Sequence, residues 1–293
     1  MSIPTRIKKR HFVRRHLVEA FMKITMQACL ILAASALGLI LWTIVSRGLP
    51  SLTWDMVTQI PKGGYYMGKE GGILNAIIGS LYLATGGTLL AILLSLPIAL
   101  YLKAYLGDSK WGEYVRLSLD VLWGIPSIVY GAFGFALMIL FGMRASLLAG
   151  IIVLALVELP IMSRAMDEVI RRMPVDLEHA ALALGSTRFE VAIRVVTRQM
   201  LPGIVTAILL AFGRGIGDAA SVLFTAGYTD RIVTSLMRPT ASLPLAVFFQ
   251  LGSPYPEVRE RGYAAALILT IIVLAVSLGA RWLSGRLNKY TVK

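Results

Sequence analysis

DLEHAALALGSTRFEVAIRVVTRQMLPGI, residues 176–204, is the longest clearly polar break late in a very apolar sequence. Leu177, Ala180, Ala181 and Leu184 fall at helical spacing, so its first part reads as a short amphipathic helix. Gly185 suits the end of that helix. Thr187, followed by Glu190, reads as a capping box that opens a second helix. Pro202 fits the first turn of the next apolar run. The stretch is expected to be a helix–turn–helix outside the membrane, between two membrane spans. A solvated linker is the plainer alternative. It has no use for the small apolar face of Ala180, Ala181 and Ala183, which suits a partner's groove.

The surroundings support a membrane setting. With 57% hydrophobic and 15% charged residues among 293, the composition is not that of a soluble globular domain. Apolar runs of about 20 residues recur, each long enough to cross a bilayer as a helix. The lone Cys29 rules out an internal disulfide and a cysteine metal cluster. A basic segment over residues 1–23 precedes an uncharged run over 24–46. The pair resembles a signal peptide, with Ala34, Ser35 and Ala36 as small residues for cleavage. The run is too long for a signal core, so it reads as an uncleaved first span.

Residues 47–71 form a polar outer loop in which Trp54, Tyr65 and Tyr66 suit an interface. The second span is expected over 72–102, with Gly86 and Gly87 permitting close helix packing. The third is expected over 117–141, the fourth over 146–163, the fifth over 203–225 and the sixth over 263–283. The apolar piece 243–251, in the outer loop 226–262, is too short to cross and either lies on the surface or dips partway in. The fold class is thus an all-α membrane protein of six transmembrane helices. The divisions are 1–71, 72–283 with a cytoplasmic loop over 164–201, and a tail over 284–293.

Six alternating spans let the positive-inside rule be tested. Twenty Lys and Arg fall on the side of the termini and of residues 176–204, against eight on the other. This places both termini in the cytoplasm and accounts for the net charge of +13 without nucleic acid. His11, His16 and His179 have no metal-ligand spacing. No P-loop, H-E-x-x-H or G-x-S-x-G motif is present. No cofactor is therefore expected, and any ATP-driven step needs an ATPase on another polypeptide.

Charges inside apolar runs are the remaining signal. Asp120, Glu158, Arg214 and Asp218 lie in or near spans, where such residues usually face a pathway. Arg214 is expected about half-way along the fifth span, with Asp218 four residues on, sharing a face and able to pair with it. A purely structural pair is the alternative. Asp120 and Glu158 are expected near inner ends, in structural or interfacial roles. Pro126 is expected to break or bend its span, with Ser127 reaching the freed backbone groups.

Residues 178–204 resemble the coupling loop, or EAA motif, of permease subunits in ABC importers (the MetI-like family). Ala180, Ala181, Gly185 and Val195 fall in that motif's register. His179 occupies its Glu slot, Glu178 lies one residue early, and Thr197 and Arg198 replace its Leu-Pro ending. GIPSIVYGAFG at 124–134 resembles the third-span signature of phosphate-specific importers. GRGIGDAASVLFTAGY at 213–228 resembles their Arg-x-x-Gly-Glu-Thr-Ala region, with Asp218 for Glu and Ala219 for Thr. TASLPLAVFFQLGSP at 240–254 resembles the PstA-type subunit.

The resemblance, which runs over 70–293, implies an inner-membrane permease subunit of an ATP-driven phosphate importer. Arg214, Asp218 and Ser127 would line the substrate path. Glu178, His179, Ala180, Ala181 and Gly185 would meet the ATPase. The implied partners are two ATP-binding subunits (PstB-type), a second permease (PstC-type), an extracytoplasmic phosphate-binding protein (PstS-type) and the lipid bilayer. The alternatives are a permease for sulfate or molybdate, a proton-coupled secondary carrier and, weaker, a membrane scaffold.

Overall fold

The computed structural model describes residues 5–62 and 70–287. Tyr65 and Tyr66 lie outside the described residues. Helix α1 runs unbroken over Thr5–Ser51, absorbing both the basic segment and the apolar run. Leu30, Leu32 and Trp42 on it are exposed, as a lipid-facing span requires. Its end meets the rest of the chain at Gly48, where an added Cβ would come within 2.6 Å of the Tyr263 carbonyl oxygen. Thr53 caps the short helix α2, Trp54–Thr58, and the two-residue strands β1 (Pro61–Lys62) and β2 (Glu70–Gly71) pair antiparallel.

The centre of the bundle is α3, Leu74–Tyr101, against α6, Leu147–Arg171. Gly86 and Gly87 of α3 face Ile151 and Leu154 of α6 so closely that a Cβ on either would crowd them. Close approach through small residues is how helices associate without a hydrophobic drive between them. Helix α6 extends eight residues beyond the expected end at 163. Arg164 and Asp167, which read as the exit from the membrane, continue the helix instead.

The expected third span is two helices, α4 (Lys110–Gly124) and α5 (Ser127–Leu140), meeting at 95°. Ile125, before the proline, is extended at φ −71° and ψ 129°, since the proline ring crowds a helical predecessor. After α6, the chain forms α7 (Val175–Ala183), α8 (Arg188–Gln199) and α9 (Leu201–Ile216), with a 76° bend between the last two. Pro202 stands in the first turn of α9.

The fifth span differs from expectation. Helix α9 stops at Ile216, not 225, and its 16 residues cover only about 24 Å. Glycines at 213, 215 and 217 weaken the helix. Asp218 then accepts a hydrogen bond from the Ser221 amide at 3.0 Å, which favours a turn over continuation. The segment 217–242 is irregular; its parts 218–229 and 240–242 are mostly withdrawn from solvent, with Val222, Ala226 and Ala241 inside, while 230–239 is mostly exposed. Its carbonyls cap α6: Ser146, Leu147 and Leu148 amides donate to Thr225, Arg238 and Leu236 oxygens at 2.8–2.9 Å. Irregular backbone is tolerated at membrane depth where protein surrounds it in this way.

Helix α10, Leu243–Leu251, dips into the bundle, where Leu243 and Leu245 are buried and Ser80 accepts from the Leu243 amide at 2.7 Å. Helix α11, Pro256–Leu287, completes an all-helical membrane architecture and is longer than the expected 263–283. Among the described residues, four helices are long and apolar enough to span, and six spans result if each bent pair counts as one.

Candidate functional site

Arg214 lies in the last turn of α9, not half-way along a span, and Asp218 lies beyond the helix end. Their separation is 4.0 Å, a charge contact without a hydrogen bond. The Asp218 side chain is 2% exposed, fixed by its Ser221 contact, while that of Arg214 is 56% exposed. The guanidinium therefore projects from a side of α9 that this chain does not cover, steadied by one buried carboxylate. Asp218 Oδ2 makes no hydrogen bond, so it keeps acceptor capacity beside the cation.

Glu158 belongs to the same neighbourhood. It lies in the middle of α6 and is fully buried, not at an inner end as its sequence surroundings imply. Thr88 on α3 donates to its Oε2 at 2.8 Å. Its Oε1 has no hydrogen-bond partner and presses on Gly215, where an added Cβ would approach to 1.9 Å. The carboxylate thus locks α3, α6 and α9 together one residue from Arg214. Its missed signal was Thr88, one of several hydroxyls in the apolar run of α3.

The broken helix behaves differently from expectation in one detail. Proline at 126 has no amide for the Leu122 carbonyl. Ser127 does not reach that carbonyl; its hydroxyl makes no hydrogen bond among the described residues. Tyr130 does, donating its phenol to Leu122 O at 2.9 Å across the bend. Ser127 opens α5 half-buried, and among the described residues no hydrogen bond joins it to Arg214 or Asp218. One turn on, Gly131 lies against the Ala220 and Ser221 carbonyls, so α5 packs on the turn that Asp218 begins.

An ionic network escaped the sequence reading. Arg116 donates to buried Asp167 at 2.8 Å and to the Gly107 carbonyl at 2.8 Å. Arg164 bridges Asp167 at 3.3 Å and Asp120 at 2.6 Å. It ties α4 to α6 at the end of the bundle nearest α7. Asp120 thereby has the structural role expected of it.

The coupling-loop candidates divide by face. Leu177 and Ala181 turn inward against the buried cluster that includes Met173, Val191 and Ile204, so Ala181 is not on an open face with its neighbours. His179, Ala180, Ala183 and Leu184 are exposed, Leu184 at 88%. Glu178 is committed within the chain, pairing with Lys103 at 3.2 Å. Gly185 has φ +86°, its amide donates to Leu182 O, and Ser186 donates to Ala181 O, the paired C-terminal closure that glycine favours. The capping box forms as read, with Thr187 and Glu190 each accepting from the other's amide. The Thr187 amide and hydroxyl both donate to the exposed Glu190 carboxyl, at 2.9 and 3.0 Å, and hold it below the usual carboxylate range.

Comparison with known proteins gives the family and the fold. The family described as "Binding-protein-dependent transport system inner membrane component" matches residues 87–290. "Phosphate transport system permease protein PstA" of Xylella fastidiosa is 37% identical over 246 residues, covering 82% of this chain and 83% of that protein. Its counterpart in Haemophilus influenzae is 32% identical, with 83% and 85% covered. "Phosphate transport system permease protein PstA 1" of Mycobacterium tuberculosis is 34% identical, with 82% and 80% covered. The MetNI methionine ABC transporter, in an inward-facing conformation, superposes with TM-score 0.61 at 16% identity, covering 73% of this chain and 95% of the other. A bacterial ABC transporter for alginate import gives 0.53 at 14% identity, with 87% and 95% covered. The structural likenesses show the fold. Together with the sequence matches they show that this chain belongs to the binding-protein-dependent transport system inner membrane component family, and is a membrane permease subunit of an ABC transporter, not an enzyme.

Proposed function

We propose that the chain forms part of the translocation path of an ATP-driven inorganic phosphate importer. The observation that carries this reading is Arg214, a planar cation held out from the last turn of α9 with one buried carboxylate at 4.0 Å. A guanidinium fork matches the oxygens of a tetrahedral anion better than a point charge does. Asp218, itself buried, steadies the empty fork. The break at Pro126 adds a second device: half-helices in transporters point their positive N-termini at anionic groups, and α5 begins at Ser127. Relatives named for phosphate transport, 32–37% identical, support this cargo.

The assembly we infer contains a dimer of ATP-binding subunits, a second permease of similar fold, and an extracytoplasmic phosphate-binding protein. The Arg214 face of α9 meets the second permease across the path. The open face of α7, with His179, Ala180, Ala183 and Leu184, docks on the ATPase, and Gly185 closes the helix there. Glu178 and Ala181 support that helix from within. Both termini lie in the cytoplasm. The core over 72–283 carries this machinery, with 1–71 and 284–293 as additions to it.

The test is uptake of labelled phosphate by whole cells, beside an immunoblot of their membranes. Arg214→Gln is expected to cut uptake by roughly tenfold or more at normal abundance, since a hydrogen bond to a charged group is worth about 1.5–3 kcal/mol. Arg214→Lys should transport poorly for want of the fork. Normal transport by Arg214→Gln at normal abundance overturns the path assignment.

A further inference from the structure

Two stretches of the chain are wound more widely than an α-helix, Leu102–Leu106 after α3 and Val191–Val196 within α8. Such turns are rare and concentrate at functional sites. Here both line one cavity of about 740 Å³, the first through Leu102, Tyr105 and Leu106, the second through Ala192 and Ile193. That volume falls within the roughly 300–1,000 Å³ of small-molecule sites. Both wide turns border it, and each carries one residue more per turn than an α-helix.

The lining identifies the occupant. Apart from the hydroxyls of Thr197, Tyr101 and Tyr105 it is hydrocarbon and aromatic ring, with no charged residue among the lining side chains. The exposed Tyr101, Tyr105 and Trp111 place its mouth at the depth of a membrane–water interface. Arg188, Arg194 and Arg198 each adjoin a lining residue, Phe189, Ile193 and Thr197, and all three are exposed. Arg194 has Glu190 at 3.8 Å. Arg188 and Arg198 have no ion pair among the described residues and are free to take phosphate oxygens. We propose that this cavity is a binding site for an anionic phospholipid, with one acyl chain inside and the headgroup phosphate on Arg188 and Arg198. The lipid joins α3 and α4 to α8, which leads directly into α9. It therefore sits between the coupling loop and the helix that carries Arg214.

The test uses the chain purified from native membranes in mild detergent with the subunits that accompany it. The preparation is exposed to vesicles of phosphatidylglycerol or phosphatidylcholine, and retained lipid per chain is measured by native mass spectrometry. Phosphatidylglycerol is expected to be retained in preference. Ile193→Trp, which fills the cavity from its half-exposed mouth, should lower that retention by roughly tenfold, the effect of denying a tail about two buried methylenes. Ala192→Trp should act in the same direction from the cavity floor, and Ile193→Trp reads alone if that variant does not assemble. Arg188→Gln with Arg198→Gln should keep lipid but erase the preference for phosphatidylglycerol. Unchanged retention in Ile193→Trp, or equal retention of the two lipids by the unaltered chain, overturns the proposal. So does a Phe189→Cys crosslink to a second permease subunit, since protein then covers the cavity. The proposal rests only on the membrane setting of the chain, and its failure leaves the phosphate reading standing.

Discussion

Gly215 is as consequential as the charges around it, because it holds open the space that Glu158 fills. A Cβ there would come within 1.9 Å of the carboxylate oxygen. Gly215→Ala is therefore expected to destabilise the purified chain by about 1–3 kcal/mol, the usual cost of overpacking. Adding Glu158→Ala should relieve the clash, so thermal unfolding of the double variant should lie above that of Gly215→Ala alone; a double variant no better than the single one removes the steric account. Arg214 and Asp218 were legible because charges stand out in an apolar run. Glu158 was legible as a residue but not in its depth. The polar residues after Ser163 imitate a membrane exit, and the partners that keep α6 helical there, Arg116 and Asp120, come from some fifty residues away. The role of Tyr130 was hidden for the opposite reason: an aromatic in an apolar helix carries no outward sign that its hydroxyl closes a proline break.

Helix ends set the geometry of the coupling loop, and their local chemistry can be tested locally. Thr187→Ala removes the cap of α8 and should cost on the order of 1 kcal/mol. Amide hydrogen exchange across 188–200, measured on the purified chain, should rise about fivefold; unchanged exchange would mean that packing alone holds α8. The capping box also carries a pH dependence. Its Glu190 carboxyl is lowered by the amide and hydroxyl hydrogen bonds of Thr187, so its stabilisation is present above the ordinary carboxylate range. It is lost as pH falls through the lowered value. Protection across the same segment, taken relative to the intrinsic exchange rate at each pH, should fall on acidification, and Thr187→Ala should flatten that response. Caps were readable from sequence because they join residues three or four apart. The end of α9 was not, since apolar Val222, Leu223 and Phe224 continue the hydropathy of a span while Asp218 turns the backbone aside.

At the scale of the molecule, the charge bias predicts orientation. Single cysteines at Ser51 and Ser253 should be labelled by an impermeant thiol reagent from outside and one at Ser186 only from inside, in a chain with Cys29 removed. Labelling at Ser186 in intact cells would reverse the topology. Docking is tested by Leu184→Asp, since Leu184, at the C-terminal cap of α7, is 88% exposed. Co-purification of the ATPase should fall at least roughly tenfold, in line with the 2 kcal/mol or more that a buried anchor carries. Full co-purification would move the docking surface elsewhere. Span number was legible from hydropathy, and the 95° and 76° breaks only in part, through Pro126 and the polar loop before Pro202.

The start of α6 has a consequence for how the chain is made. Leu147 and Leu148 donate to carbonyls at 238 and 236, about ninety residues later in the chain. At synthesis rates of about 5–20 residues per second, α6 reaches the bilayer roughly 5–20 s before those acceptors leave the ribosome. During that interval its first turn is open, and water, lipid headgroups or the insertion machinery must serve its amides. The nascent chain is thus most vulnerable to membrane proteases after α6 and before residue 238. Its quality control is a question of timing: a pause in translation within that window should shorten the life of a protein whose finished form is unchanged.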